Sequence, residues 1–125
     1  MNSMIKFDVV GRLTKDPEIK ELEGGKKVCN FTLAVDRPYK DKENNKITDF
    51  FDFALWNKDA EKIVKFSKQG ALIHIDGRLE TNYIEFDGKK IKTITPSVEN
   101  YKHLANKKDL ITEPIEETKT EEIVK

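Results

Sequence analysis

Aromatic side chains that a core does not need are the first sign of chemistry in this sequence. Alternation along residues 47–56 places an apolar row at the odd positions, namely Phe51, Phe53 and Leu55. Phe50 and Trp56 then lie on the opposite face, where burial does not explain them. We expect the odd row to point inward and these two aromatics outward. The structural alternative for both is packing under a helix or in a subunit interface.

Two tyrosines stand at predicted loop boundaries next to cations. Tyr39 lies between Arg37 and Lys40, and Tyr83 precedes a run of lysines at 89, 90 and 92. Unpaired nucleic acid offers flat bases and a negative backbone, so exposed aromatics interleaved with cations suit it. The pattern predicts a single-strand-binding surface that includes Tyr39, Phe50, Trp56 and Tyr83. The alternative for the tyrosines is that they cover the mouth of a barrel.

Catalytic or metal-binding chemistry is hard to assemble from the remaining residues. His74 and His103 are far apart in the sequence, and no Cys or carboxylate completes a ligand spacing around either. Cys29 alternates in phase with Phe31, as a buried core residue does. The sequence also contains no phosphate-cradling glycine loop. We therefore expect no enzyme activity, no cofactor and no metal.

Charge is balanced overall but not along the chain. The 23 Lys and Arg residues equal the 23 Asp and Glu residues, which argues weakly against a nucleic-acid binder. Residues 106–125 hold four Lys and six acids, so residues 1–105 carry 19 basic and 17 acidic residues, a net charge of +2. Local basic patches matter more than totals for phosphate binding.

Period-two alternation dominates the sequence and indicates strands. We predict strands at about 5–13, 28–37, 47–56, 71–83 and 90–101, and a helix at about 58–69 that ends before Gly70. Gly11 is expected to form a bulge or bend. Five antiparallel strands with one helix between the third and fourth predict an all-β OB-fold, a five-stranded Greek-key barrel. A mixed sheet with a helix on one face is the alternative.

The pattern ends near residue 105. We predict an OB-fold domain over residues 1–105 and a disordered acidic tail over residues 106–125. The single cysteine excludes an internal disulfide. Residues 1–7 lack the pattern of a signal peptide, and no apolar run is long enough to span a membrane. We expect a cytoplasmic, nucleoid-associated protein.

Several segments, in order, resemble the bacterial single-stranded DNA-binding proteins. They cover about residues 4–104 and comprise residues 10–18 (VGRLTKDPE), 31–37 (FTLAVDR), 49–56 (DFFDFALW), 68–70 (KQG) and 75–81 (IDGRLET) followed by Tyr83. The resemblance implies an OB-fold that acts in DNA replication, recombination or repair, assembles as a homotetramer and wraps single-stranded DNA around itself.

The resemblance also implies a set of site residues. By this resemblance, the residues that stack on bases are Tyr39, Phe50, Trp56 and Tyr83. The residues that contact the DNA backbone are Arg12, Lys15, Arg37 and Lys58. Asn82 stands where the family often has an arginine. The last residues, Glu121 to Lys125, lack the family's acidic Pro-Phe tip, so we expect the recruitment of replication and repair proteins to be reduced or different.

Two other functions fit less well. OB-folds also bind RNA and proteins, and stacking on aromatics does not distinguish ribose from deoxyribose. A small enzyme would need a catalytic constellation that the sequence lacks.

Overall fold

The structure, a computed structural model, describes residues 3–110. Its strands are β1 (Phe7–Leu13), β2 (Lys20–Glu21), β3 (Lys27–Lys40), β4 (Lys46–Trp56), β5 (Leu72–Phe86) and β6 (Lys89–Ala105). Its helices are α1 (Asn57–Phe66) and the short α2 (Lys107–Leu110). No helix within this range is long and apolar enough to cross a membrane.

All the strand pairs are antiparallel, and the five long strands follow the order β4-β3-β1-β5-β6. The two outer strands of this order, β4 and β6, approach each other. The sheet therefore curls back on itself, which protects strand edges that would otherwise be open to pairing. The two-residue strand β2 pairs with the beginning of β3.

The five long strands and α1 match the predicted elements in type and order. The main differences are in length, because β5 and β6 form a hairpin that extends to Phe86 and Lys89, beyond the predicted ends. In addition, β2 and a short 3-10 turn at Glu23–Gly25 lie in the segment predicted to be a connection. Hairpin pairing continues past the last alternating apolar residue, so alternation underestimates strand length.

The core lies between the inward faces of the strands and α1. Its fully buried members include Leu33, Ile73 and Ile75 from the strands, together with Ala60 and Ile63 from α1. Cys29 is also fully buried in this cluster, as predicted, and burial raises the pKa of its thiol. A buried thiol with a raised pKa is a poor nucleophile.

A buried polar network joins the end of α1 to β6. The Ser67 amide donates to the Ile63 carbonyl at 2.9 Å, which closes the last turn of the helix. The Ser67 hydroxyl lies 2.6 Å from the Tyr101 hydroxyl and 2.8 Å from His103 Nδ1. Burial raises the pKa of Tyr101. The network satisfies a buried hydroxyl and gives His103 a structural partner.

Gly11 does not form the predicted bulge. It pairs in register with Ile73, and a Cβ atom there would lie 2.9 Å from the Ala34 carbonyl oxygen. Its small size is therefore used for close packing of β1 against β3. The space around Gly77 is smaller than the space around Gly11. A Cβ atom at Gly77 would collide with the Ser97 carbonyl oxygen, next to a register shift between β5 and β6.

The short helix α2 falls within the segment predicted to be a disordered tail. The Lys107 side chain lies 2.7 Å from the position of a Cβ on Gly70, so the start of α2 rests against the turn that leads into β5. The domain boundary at residue 105 stays a prediction. Residues 111–125 lie outside the described part of the chain.

The two glycines give a graded test of the packing. We expect Gly77→Ala to lower the free energy of unfolding by about 1–3 kcal/mol or more, because backbone must move to admit the methyl group. Gly11→Ala should cost less, since its nearest backbone atom is farther away. Urea denaturation measures both variants. Equal stability of Gly77→Ala and the wild type would contradict the close contact between β5 and β6.

Candidate nucleic-acid interface

The pairing of β3 with β4 creates two faces of opposite character. Cys29 pairs with Leu55 and Phe31 with Phe53, and all four are buried. The alternate pairs, Asn30 with Ala54 and Thr32 with Asp52, form the outer face. Directly paired residues share a face, so Phe50 and Trp56 belong to this outer face.

Phe50 and Trp56 are exposed as the alternation predicted. Phe50 is 63% exposed and Trp56 is 49% exposed. Trp56 keeps an extended backbone immediately before α1. The next residue, Asn57, has a positive φ of 52°, and its side chain accepts a hydrogen bond from the Lys27 amide at 3.1 Å. This turn determines where the Trp56 side chain leaves the sheet.

The prediction that Phe51 points into the core is wrong. Phe51 pairs with the buried Leu33 and shares its face, yet it is 48% exposed, whereas Phe53 is 7% exposed. Leu33 also pairs with Leu13 on β1, and both leucines are buried, so the exposure of Phe51 begins at the outer strand β4. Alternation identifies the face of a strand but not the point at which the core ends.

Arg12 and Phe50 are aligned across three strands. Arg12 on β1 pairs with Ala34 on β3, which in turn pairs with Phe50 on β4. Neighbouring strands are about 4.8 Å apart, so Arg12 and Phe50 leave the same face roughly 10 Å apart. A cation and an aromatic at this distance suit a nucleotide's phosphate and base.

A groove of about 480 Å³ lies beside this row, between β4 and β6. Its lining combines four residues of the outer face, the two largely buried rings of Phe31 and Phe53, two residues of β6, and Lys15. The full set is Lys15, Asn30, Phe31, Thr32, Asp52, Phe53, Ala54, Thr95 and Pro96. Phe50 and Trp56 stand on either side of its β4 residues along the strand. Of the predicted site residues, Lys15 lines the groove, and Arg12 is aligned with Phe50 across the sheet. Lys58 lies in the first turn of α1, two residues after Trp56.

The other three predicted site residues lie on the two long hairpins. Tyr39 and Arg37 are near the end of β3, and the Arg37 guanidinium is 6.0 Å from the centre of the Tyr39 ring. Tyr83 is exposed on the β5–β6 hairpin and pairs with Lys92. None of these three side chains lines the groove.

The predicted cations differ in their partners. Within residues 3–110, Arg12, Lys15 and Lys58 form no salt bridge, whereas Arg37 is bound to Asp49 by two hydrogen bonds of 2.8 and 3.0 Å. No pattern in the sequence indicates this pair, because the two residues are brought together only by the hairpin register.

Comparison with known proteins decides the family. The model of the single-strand binding protein family matches residues 4–104, the segment that the strands and α1 occupy. This chain belongs to the single-strand binding protein family. The resemblance proposed from its motifs is therefore confirmed, and so is the OB-fold, the fold of this family.

Relatives in the single-strand binding protein family include single-stranded DNA-binding protein 3 of Listeria innocua. It is 40% identical over 107 residues, which cover 85% of this chain and 67% of the relative. The single-stranded DNA-binding protein of Bacillus cereus is 41% identical over 92 residues, covering 73% of this chain and 52% of the relative. That of Lactiplantibacillus plantarum is 37% identical over 100 residues, covering 79% and 50%. The chain thus spans about half the length of several relatives.

The single-strand binding protein family consists of DNA-binding proteins that are not enzymes. This agrees with the prediction that the chain catalyses no reaction. The names of the relatives specify single-stranded DNA, the ligand class to which the aromatic and basic pattern points.

His74 has carboxylate neighbours that its sequence context does not reveal. His74 Nε2 lies 3.0 Å from Asp8 Oδ1, and one donor atom each of Asp8, His74 and Asp76 lie within 4.8 Å of one another. Asp8 and Asp76 pair directly across β1 and β5, which brings like charges together. His74 and the amide of Asn100, which donates to Asp76 at 2.8 Å, offset that repulsion. We interpret the cluster as a polar network of the sheet surface.

The two faces of β4 give a testable contrast. Phe50→Ala should change the free energy of unfolding by less than about 1 kcal/mol, because its ring is mostly exposed. Phe53→Ala, three residues along the same strand, should cost about 3–5 kcal/mol, because its ring is buried against Phe7 and Phe31. Thermal and urea unfolding measure both. A large loss of stability in Phe50→Ala would show that Phe50 is a core residue.

Proposed function

We propose that this chain binds and protects single-stranded DNA without sequence preference, by stacking bases on exposed aromatics and contacting phosphates with Lys and Arg. The observation that carries the proposal is the row from Arg12 to Phe50, continued by the groove to Trp56. Stacking is tolerant of sequence because every base has a flat face.

The proposed contacts divide into two kinds. Phe50 and Trp56 supply stacking surfaces at the groove, and Tyr39 and Tyr83 continue them on the hairpins. Arg12, Lys15 and Lys58 supply phosphate contacts close to the groove, and Arg37 is a fourth candidate. A stack is worth about 1–3 kcal/mol per base, a value established on single-strand-binding OB-folds as a class.

We propose that the protein acts in replication, recombination or repair and is a cytoplasmic, nucleoid-associated homotetramer. Apolar side chains that remain exposed in one copy support assembly. They include Val10 on β1, Phe51 on β4 and the Ile84 and Phe86 side chains of the β5–β6 hairpin. Exposed apolar surface of this kind favours association.

Trp56 is the only tryptophan, so its fluorescence reports binding at the groove. We expect oligo-dT to quench it strongly and the affinity to fall steeply as salt rises, because phosphate contacts release counterions. Trp56→Ala should weaken binding of a labelled oligo-dT about 5- to 150-fold, the equivalent of ~1–3 kcal/mol, and leave the melting temperature nearly unchanged.

Phe66→Ala is the matched control, because Phe66 is an exposed aromatic at the end of α1 away from the groove lining. It should bind as the wild type does. Oligo-U and duplex DNA are measured beside oligo-dT. Absence of quenching, or equal affinity for duplex DNA, would refute the proposal, and preferential binding of oligo-U would assign the surface to RNA.

Sedimentation velocity tests the proposed assembly. The wild type should sediment with four times the mass of one chain across micromolar concentrations. Phe51→Glu places a charge on an exposed apolar position and should shift the distribution toward smaller species, since a buried charge is costly. A monomeric wild-type protein would contradict the tetramer.

A further inference from the structure

The Arg37 guanidinium is already occupied by a carboxylate of the same hairpin. Arg37 Nε donates to Asp49 Oδ2 at 2.8 Å, and Nη2 donates to Asp49 Oδ1 at 3.0 Å. The third nitrogen, Nη1, lies 3.4 Å from the Tyr39 hydroxyl. This two-point fork is the geometry with which arginine binds carboxylates and phosphates most strongly.

The electrostatic consequences agree with the geometry. The hydrogen bonds from Arg37 hold the pKa of Asp49 below its usual range, and those to Asp49 and Tyr39 raise the pKa of Arg37. Asp49 therefore carries its full charge at neutral pH. A phosphate that approaches Arg37 meets this charge and finds the guanidinium edge in use.

The neighbouring register positions show the same arrangement. The Asp36 carboxylate accepts from the Thr48 hydroxyl at 2.7 Å and lies 3.6 Å from the ammonium of Lys46. The free end of the β3–β4 hairpin thus places acids opposite Arg37 and Lys46. Both pairs are partly solvent-exposed, so each contributes little to stability and its removal should leave the hairpin folded.

We propose that the Asp49 carboxylate competes with DNA phosphate for Arg37. This competition lowers the affinity for single-stranded DNA and makes that affinity depend less on salt. This inference rests on the proposed function. Asp49 touches no DNA in this scheme; it acts through Arg37. Without its charge, Arg37 becomes an additional phosphate contact next to the Tyr39 ring.

The salt dependence gives the size of the effect. Each phosphate neutralised on a single strand contributes about −0.7 to the slope of log K against log salt concentration. Asp49→Asn keeps the size of the side chain and removes its charge. We expect it to make the slope steeper by up to about 0.7 and to raise affinity about two- to fivefold at low salt, the range of one exposed ion pair.

A double-mutant cycle assigns the effect to Arg37. Arg37→Gln should make the slope less steep by a smaller amount in the wild-type background than in the Asp49→Asn background, because Asp49 competes for Arg37 only in the former. In the Asp49→Asn background, Arg37→Gln should remove the whole increase in slope and in affinity that Asp49→Asn produces. Asp49→Ala repeats the test with a different side chain, and melting curves show that each variant is folded.

Glu23→Gln is the control for net charge. It removes one negative charge from the turn at Glu23–Gly25, which precedes the other end of β3. Lys27 and Arg37 are ten positions apart on this strand, roughly 33 Å. Glu23→Gln should leave the slope unchanged.

The outcomes separate the two proposals. A steeper slope in Asp49→Asn that depends on Arg37 supports the inference. Unchanged or weaker binding by folded Asp49→Asn, with normal binding by the wild type, overturns the inference alone. Failure of the wild type to bind oligo-dT refutes the proposed function, and the inference with it.

Discussion

The period of two along the β3–β4 pair is the constraint on which both the core and the candidate surface depend. Directly paired residues share a face, so Phe31 and Phe53 are buried together while Thr32 and Asp52 face outward together, joined by a hydrogen bond of 2.5 Å. A slip of one residue would bury an acid and expose an aromatic of the core. The hydrophobic effect that selects the register therefore also determines which aromatics face solvent.

The link from this strand pair to the helix is equally specific. The positive φ of Asn57 turns the chain out of β4, and the hydrogen bond from the Lys27 amide ties that turn to the start of β3. Lys27 also forms a salt bridge of 2.6 Å with Glu61 on α1. Trp56 is thus placed by backbone geometry on one side and by the packing of α1 on the other. A candidate stacking residue on such a rigid junction loses little freedom when it binds.

The sequence was sufficient for features that repeat along a strand and insufficient for features that depend on neighbours distant in sequence. Alternation predicted the five long strands and the outward direction of Phe50 and Trp56. It placed Phe51 in the core, because it identifies the face of β4 but not the point along that outer strand at which burial ends. The pairs of Arg37 with Asp49 and of His74 with Asp8 escaped detection for the same reason. Each of these pairs forms only in one particular strand register, and the residues around it in the sequence do not determine that register.

A chain with no net charge can still bind a polyanion if its charges are separated in space. Here Arg37 and Lys46 face acids on their own hairpin, whereas Arg12, Lys15 and Lys58 stand near the exposed aromatics without a salt bridge in residues 3–110. Lys89, Lys90 and Lys92 on the β5–β6 hairpin also form no salt bridge in that part of the chain, so cations beside the groove and on this hairpin are both available to phosphates in the proposed complex. Stacking is largely independent of salt, whereas each phosphate contact loses strength as salt rises. The share of the binding free energy that stacking supplies therefore grows as salt rises, so the exposed aromatics and the placement of the cations, and not the net charge, determine affinity in the proposed complex.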